Sequence, residues 1–383
     1  MIKIDDAIQA LKEEVVSVRR KLHQCPEGGF KEYKTSAYIK EKLSDFGIKE
    51  IDECAGTGIV AMIRGTAGER AIGFRTDMDA LPIEENTQCA YQSQHEGFMH
   101  ACGHDGHMAA MLGFAKYAAA NSNMLKQNIA LIFQPAEEGP GGAARMIEEG
   151  IIEKYNIKRM IGMHIFPEYP ENKVISKAGP MMARNGEVSI KIIGTPAHGA
   201  IPQRGKDAIM AAAYFITSVQ SILSRNIDPM ESAVFTIGTI SGGNAANIIA
   251  EEVKLKGTIR AFTDKTYDFM TQRIAECAKG IEYMSGCKIE LSFHHMYRIV
   301  DNDENLYAAL KKVAGDDFIE AKPVMISEDF SFFQQKVPGL FFFIGSYNKA
   351  AGFTNSLHNS QFNFDEEILL TAIQLYWDIL KEI

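Results

Sequence analysis

The sequence of 383 residues has no apolar run approaching the roughly 20 residues that a membrane-spanning helix needs. Its first residues, Met1-Ile2-Lys3-Ile4-Asp5-Asp6, lack the apolar core of a secretory signal, so a cytoplasmic location is expected. Cysteine is sparse: six residues, at 25, 54, 89, 102, 277 and 287, without the dense spacing of a disulfide scaffold. Reduced thiols are expected. A basic surface is missing as well, since 49 acidic residues outnumber 40 basic ones for a net charge of −9. That balance favours neither nucleic acid nor an anionic membrane as partner. No internal repeat or low-complexity linker interrupts the chain. With 46% apolar and 23% charged residues it reads as an ordinary globular protein, long enough for two domains.

What the chain does have is a concentration of metal-binding groups. His100-Ala101-Cys102-Gly103-His104-Asp105-Gly106-His107 packs three imidazoles, a thiol and a carboxyl into eight residues. Thiolate, neutral imidazole and carboxylate form the borderline-soft set that suits Zn²⁺ and related ions, so a metalloenzyme is expected. Gly103 and Gly106 are read as allowing a tight turn around Cys102, before a buried helix from Met108 to Ala120. The other candidates follow short apolar runs read as central strands: Glu137-Glu138 after Asn128 to Phe133, and His164 after Met160 to Met163. His358 lies beyond the strand expected at Leu340 to Ile344. Open α/β sheets bind ligands at the carboxyl ends of their strands, where all of these would sit. One of the paired glutamates could hold metal while the other faces a water. His100 and His107 are read as supporting or packing residues, and His23, His95, His294 and His295 as structural. Five candidate ligands and a spare carboxylate exceed the four that a closed structural site needs, which suggests two metal ions.

The pattern predicts an α/β protein. Helices are expected from Ala7 to Gln24 and Tyr33 to Phe46, with strands near Gly58 to Ile63 and Ala71 to Arg75. After Met182 the order becomes β-α-β-β-α-β, that of a ferredoxin-like domain, over Glu187 to Phe293. A helix at Glu304 to Val313, a strand near Pro323 to Met325 and a final helix at Glu366 to Lys381 complete the first domain. The expected division is a discontinuous metal-binding domain, 1–183 with 296–383, and an inserted domain over 184–295.

Ordered motifs then carry a resemblance: Arg19-Arg20-Lys21-Leu22-His23 with Pro26-Glu27, Arg75 to Pro82, His100 to His107, Gln134 to Gly139, Gly162-Met163-His164, Ala197-His198-Gly199, Ser327 to Phe330, and Leu357 to Ser360. Over nearly its whole length the chain resembles the amidohydrolase branch of the dinuclear metallopeptidase superfamily, which includes hippurate hydrolases, N-acetyldiaminopimelate deacetylases and auxin-conjugate hydrolases. The resemblance implies a metallopeptidase-type catalytic domain with a mostly parallel sheet and a ferredoxin-like lid that also joins subunits into a homodimer or homotetramer. It implies two divalent ions (Zn²⁺, Mn²⁺, Ni²⁺ or Co²⁺) on Cys102, His104, Glu138, His164 and His358, with Glu137 as base. It also implies that His198 reaches the substrate carbonyl, in its own chain's site or a partner's, and that Asn247 and Arg260 hold substrate. Asp77 and Asp105 become candidates for orienting a ligand imidazole. The implied reaction is hydrolysis of a small N-acyl amino acid to carboxylate and amine. Dipeptidase or aminopeptidase activity, or a catalytically silent metal- or ligand-binding role, are the alternatives; the intact Glu137 and complete ligand set argue against the silent one.

Overall fold

A computed structural model describes residues 2–383. The chain divides into two compact units, one of Met1–Met181, Asp301–Lys322 and Asp329–Ile383, the other of Met182–Val300 and Pro323–Glu328. In chain order the strands used below are β1 (Glu50–Cys54), β2 (Gly58–Ile63), β3 (Ala71–Asp77), β4 (Asn128–Gln134), β5 (Ile157–Pro170) and β6 (Val174–Ser176). The second unit then supplies β7 (Arg184–Ile193), β8 (Ala233–Gly242), β9 (Glu252–Ala261) and β10 (Lys288–His295), and the first unit resumes with β11 (Phe318–Glu320) and β12 (Gly339–Tyr347).

The first unit is built on an eight-stranded sheet in the order β1–β2–β4–β3–β5–β12–β6–β11. Its centre, β4–β3–β5–β12, is parallel; β1–β2, β2–β4 and β12–β6 pair antiparallel, and the edge strand β11 pairs parallel with β6. Every residue of β2, β3 and β4 is buried, the mark of strands covered on both faces. Helix α1 (Lys12–His23), helix α2 (His104–Ala120) and the C-terminal helix α3 (Ile368–Glu382) belong to this unit. Small residues let α2 pack closely: a Cβ on Gly113 would lie 2.4 Å from Ile373 Cδ1. At the next residue, the Phe114 ring sits 4.8 Å from Phe74 of β3 and 5.4 Å from Tyr376 of α3, centroid to centroid. This packing holds α2 between sheet and C-terminal helix, and so fixes its first residue, His104.

The second unit is a four-stranded antiparallel sheet in the order β10–β7–β9–β8 with helices Ala208–Ser221 and Asp264–Ser285. Alternate residues of β7 and β9 are buried with Phe215 and Val219 of the first helix and Met270 and Ile274 of the second. The fold is the ferredoxin-like one.

Three expectations need correction. The first helix is broken, with Asp6–Gln9 separate from Lys12–His23. No ladder forms at Pro323 to Met325; Val324 makes one isolated bridge to Met182, and the segment belongs to the second unit. Proline at the head of so short a run removes a ladder donor. The second unit also extends to Val300, because the main chain of Asn185 exchanges hydrogen bonds with Met296 and Tyr297.

Candidate metal centre and active site

Strands β3 and β4 end at Asp77 and Gln134, and the loops beyond them carry the polar residues of the site. Gly103, with φ +86°, turns the chain into α2, which starts at His104 rather than Met108. Gly106 serves another purpose than the expected turn. It lies inside the helix, where a Cβ would fall 2.6 Å from Phe364 Cζ and 3.0 Å from Ile165 Cδ1. His164 sits within β5 rather than after it, since Ile165 and Phe166 continue the buried strand. His358, in the loop after β12, adopts a left-handed φ of +61°, and its N–H donates to the Ala101 carbonyl at 2.9 Å. That bond ties the His358 loop to the Cys102 loop.

Hydrogen bonding decides which imidazoles have a lone pair to offer. A peptide carbonyl only accepts, so His104 Nδ1, 2.8 Å from the Asp79 carbonyl, carries the proton and leaves Nε2 as the basic atom. That Nε2 is buried without a hydrogen-bond partner. His164 Nδ1 likewise donates to the Ile165 carbonyl at 2.6 Å, leaving Nε2 only 3.4 Å from Cys102 Sγ. His107 differs: Nδ1 donates to Asp77 Oδ1 at 2.7 Å and Nε2 accepts the Ile165 N–H at 2.9 Å. It has no lone pair left and works as a brace between Asp77 and the His164 strand.

The remaining donor atoms converge. Those of Cys102, Glu138 and His358 lie within 4.8 Å of one another, as do those of His104, Glu137 and Glu138, and those of Asp77, His104, His107 and His164. His358 Nε2 is 3.1 Å from Glu138 Oε1. Burial, reinforced by Glu138 and Glu137, pushes the Cys102 thiol well above its ordinary range. Burial alone would lower His104, yet Asp77 and Asp79 raise it to about 10, so with no cation beside it Nε2 carries a proton, which a divalent ion would displace. Both shifts express an excess of electron-pair donors over cations, which a divalent ion would neutralise. The orphaned His104 Nε2 and the thiol, imidazole and carboxylate donors fit such an ion.

Asp77 is fully buried and also accepts from Arg75 Nη1 at 3.0 Å, so it steadies His107 and the end of β3. Asp105 Oδ2 accepts from Arg19 Nε and His23 Nδ1, each at 2.8 Å, on the side of α2 facing α1. In the second unit, His198 is exposed on the loop after β7, with Nδ1 accepting the Ala200 N–H at 3.0 Å. The Gly199 N–H donates to the Asn247 carbonyl at 2.7 Å, which brings the His198 and Asn247 loops together. Arg260, half-buried on β9, donates from Nη1 to the Met325 carbonyl at 2.7 Å.

Sequence reasoning missed Asp79 and Glu32. Both are buried, and their carboxylates accept main-chain N–H groups of the loop that carries Glu137 and Glu138. The Asp77-Met78-Asp79 spacing was a signal for the first, because alternate residues of an extended segment share a face. Nothing around Glu32 marks the second.

With this geometry in view, the model of the Peptidase family M20/M25/M40 matches residues 73–382. The chain belongs to that family. An N-acetyldiaminopimelate deacetylase of Bacillus velezensis is 38% identical over 95% of this chain and 97% of its own length. One of Listeria monocytogenes serovar 1/2a is 39% identical over 96% of this chain and 99% of its own. Among solved structures, a putative aminohydrolase from methicillin-resistant Staphylococcus aureus superposes with a TM-score of 0.93 at 32% identity, covering 98% of both chains. A Bacillus subtilis protein described as a dinuclear metal-binding peptidase from the M20 family gives 0.85 at 30% identity, covering 97% of this chain and 98% of its own. This M20 chain is a metal-dependent amidohydrolase. No helix among its described residues is long and apolar enough to cross a membrane.

Proposed function

We propose that the enzyme hydrolyses the amide bond of N-acyl amino acids, with N-acetyl derivatives of diamino acids such as diaminopimelate as the first substrates to try. The observation that carries this reading is that the donor atoms of Cys102, His104, Glu138, His164 and His358 fall into overlapping groups, linked through His104 and Glu138, with a second glutamate, Glu137, beside Glu138. In this reading those five residues hold two divalent ions. Bound there, the ions supply Lewis acidity, polarising a carbonyl and bringing the pKa of water towards about 7. Glu137 takes the proton from the attacking water and returns it to the leaving nitrogen, so that carboxylate and free amine result. His198 offers a hydrogen bond to the carbonyl oxygen as negative charge develops, Arg260 a planar guanidinium for a carboxylate, and Asn247 an amide for a carbonyl. The relatives' names support the acyl amino acid class.

A hydrolysis screen of N-acetyl, N-benzoyl and N-succinyl amino acids, N-acetyldiaminopimelate included, tests this after loading with Zn²⁺, Mn²⁺, Co²⁺ or Ni²⁺ in turn. Turnover of N-acetyl substrates is expected. Cleavage confined to unblocked dipeptides would move the assignment to a peptidase. The preferred metal, a cytoplasmic location and pairing of copies through the second unit belong to the same proposal, and sedimentation of the purified protein checks the last.

A further inference from the structure

The loop that carries Glu137 and Glu138 does not hold its own shape. Ala136, just before the pair, has a left-handed φ of +53°, a conformation that an L side chain disfavours and that persists only where surroundings impose it. Here three successive main-chain donors are received by buried carboxylate oxygens. The Ala136 N–H donates to Glu32 Oε1 at 2.9 Å, the Glu137 N–H to Asp79 Oδ1 at 2.9 Å, and the Glu138 N–H to Asp79 Oδ2 at 3.0 Å. Glu32 is in turn held by the Thr57 hydroxyl. Asp79 is 1% exposed, and its own carbonyl accepts from His104 Nδ1 at 2.8 Å.

We propose that Asp79 is the positioning residue that divides labour between the adjacent glutamates, its two carboxylate oxygens fixing two consecutive peptide units while its carbonyl sets the tautomer of His104. Because successive side chains leave the main chain in different directions, holding both N–H groups of the turn at once fixes where each carboxylate points. Glu32 extends the same cradle by one residue. Charge matters as well as shape: an ionised carboxylate only accepts, and accepts more strongly than a neutral amide. Asp79→Asn would turn one oxygen into an NH₂ donor facing the N–H of a glutamate. That arrangement repels, and the loop must shift to relieve it.

This inference rests on reading Glu137 as base and Glu138 as ligand. Asp79→Asn should lower kcat and loosen metal by about 10- to 100-fold, the usual effect of a group that orients a ligand, with KM little changed. Three readouts are taken together: steady-state kinetics, metal retained against a competing chelator, and the visible absorption spectrum of the Co²⁺-loaded protein. Altered ligand placement changes the Co²⁺ spectrum, which loss of general stability would not do in protein that remains folded. Native kcat, metal retention and Co²⁺ spectrum in folded Asp79→Asn would overturn the proposal, while leaving the role of Glu137 to its own substitution. Should Asp79→Asn not accumulate as folded protein, Glu32→Gln decides. It keeps a carbonyl for the Ala136 N–H and should show a smaller loss in the same direction, whereas native behaviour in all three readouts would overturn the cradle.

Discussion

Two clusters in the first unit have nearly the same composition but lie in differently bonded surroundings. His23, Glu85 and Cys89 bring donor atoms within 4.8 Å of one another, as do Cys102, Glu138 and His358. In the first cluster His23 gives Nδ1 to Asp105 at 2.8 Å and Nε2 to Glu85 at 3.2 Å. Burial raises both acids, but their partners outweigh it: Arg19 and His23 hold Asp105 far below its usual range, and His23, Thr87 and the Ser93 N–H hold Glu85 at about 2. Two ionised acceptors make His23 an imidazolium with no lone pair to offer. Glu85 is likewise engaged by Thr87 and the Ser93 N–H. In the second region His358 Nε2 also meets a carboxylate, Glu138 Oε1 at 3.1 Å, but the adjoining His104 Nε2 has no hydrogen-bond partner and His164 Nε2 faces the Cys102 sulfur. Composition does not separate a salt-bridge network from a metal centre; the fate of each lone pair does.

The comparison breaks most visibly on removal of metal. Chelator-treated protein should lose amide hydrolysis almost completely and regain it with divalent ion, as measured by amine release before and after reloading. Next, Glu137→Gln should lower kcat by at least about 100-fold while metal content is unchanged, since the amide cannot accept a proton. Glu138→Gln should instead reduce the metal retained after dialysis, and an exchange of the two phenotypes would reverse base and ligand. The cysteines sharpen the contrast further. Cys102→Ser should weaken metal binding by more than any other thiol substitution, because an alkoxide is hard to form at neutral pH. Cys89→Ser, in the saturated cluster, should keep native metal content and turnover, and Cys277→Ser likewise.

The smallest effect concerns acid stability. The Glu85 carboxyl, at about 2 in the folded chain against an ordinary 4.5, stabilises the fold above pH 4.5, and this contribution fades as pH falls towards 2. Glu85→Gln should therefore be less stable than wild type at pH 6 and approach it in acid, as read from denaturant midpoints. A constant difference across that range would remove the charged state of Glu85 from the account.

Much of this was legible in sequence. The βαββαβ order and the fully buried β3 and β4 announced themselves through alternation and apolar runs, because burial on one or two faces writes those patterns directly. The residues whose donor atoms the structure gathers were also readable, since thiol, imidazole and carboxylate recur within a few positions of the expected strand ends. Hydrogen-bond bookkeeping was not. That His107 is spent on Asp77 and Ile165, and that Asp79 holds the Glu137 and Glu138 amides, depends on contacts across 30 to 60 positions of chain. The role of Gly106 escaped for the same reason, because Phe364 approaches it from the far end of the sequence.

Anomalous X-ray diffraction from crystals of the Zn²⁺- or Mn²⁺-loaded protein tests the central claim most directly. Two peaks are expected within ligand distance of Cys102, His104, Glu138, His164 and His358, and none at His23, Glu85 and Cys89. A peak at the His23 cluster, or none at the Cys102 and His104 donors in fully active protein, would contradict the assignment of metal to the unsaturated donors.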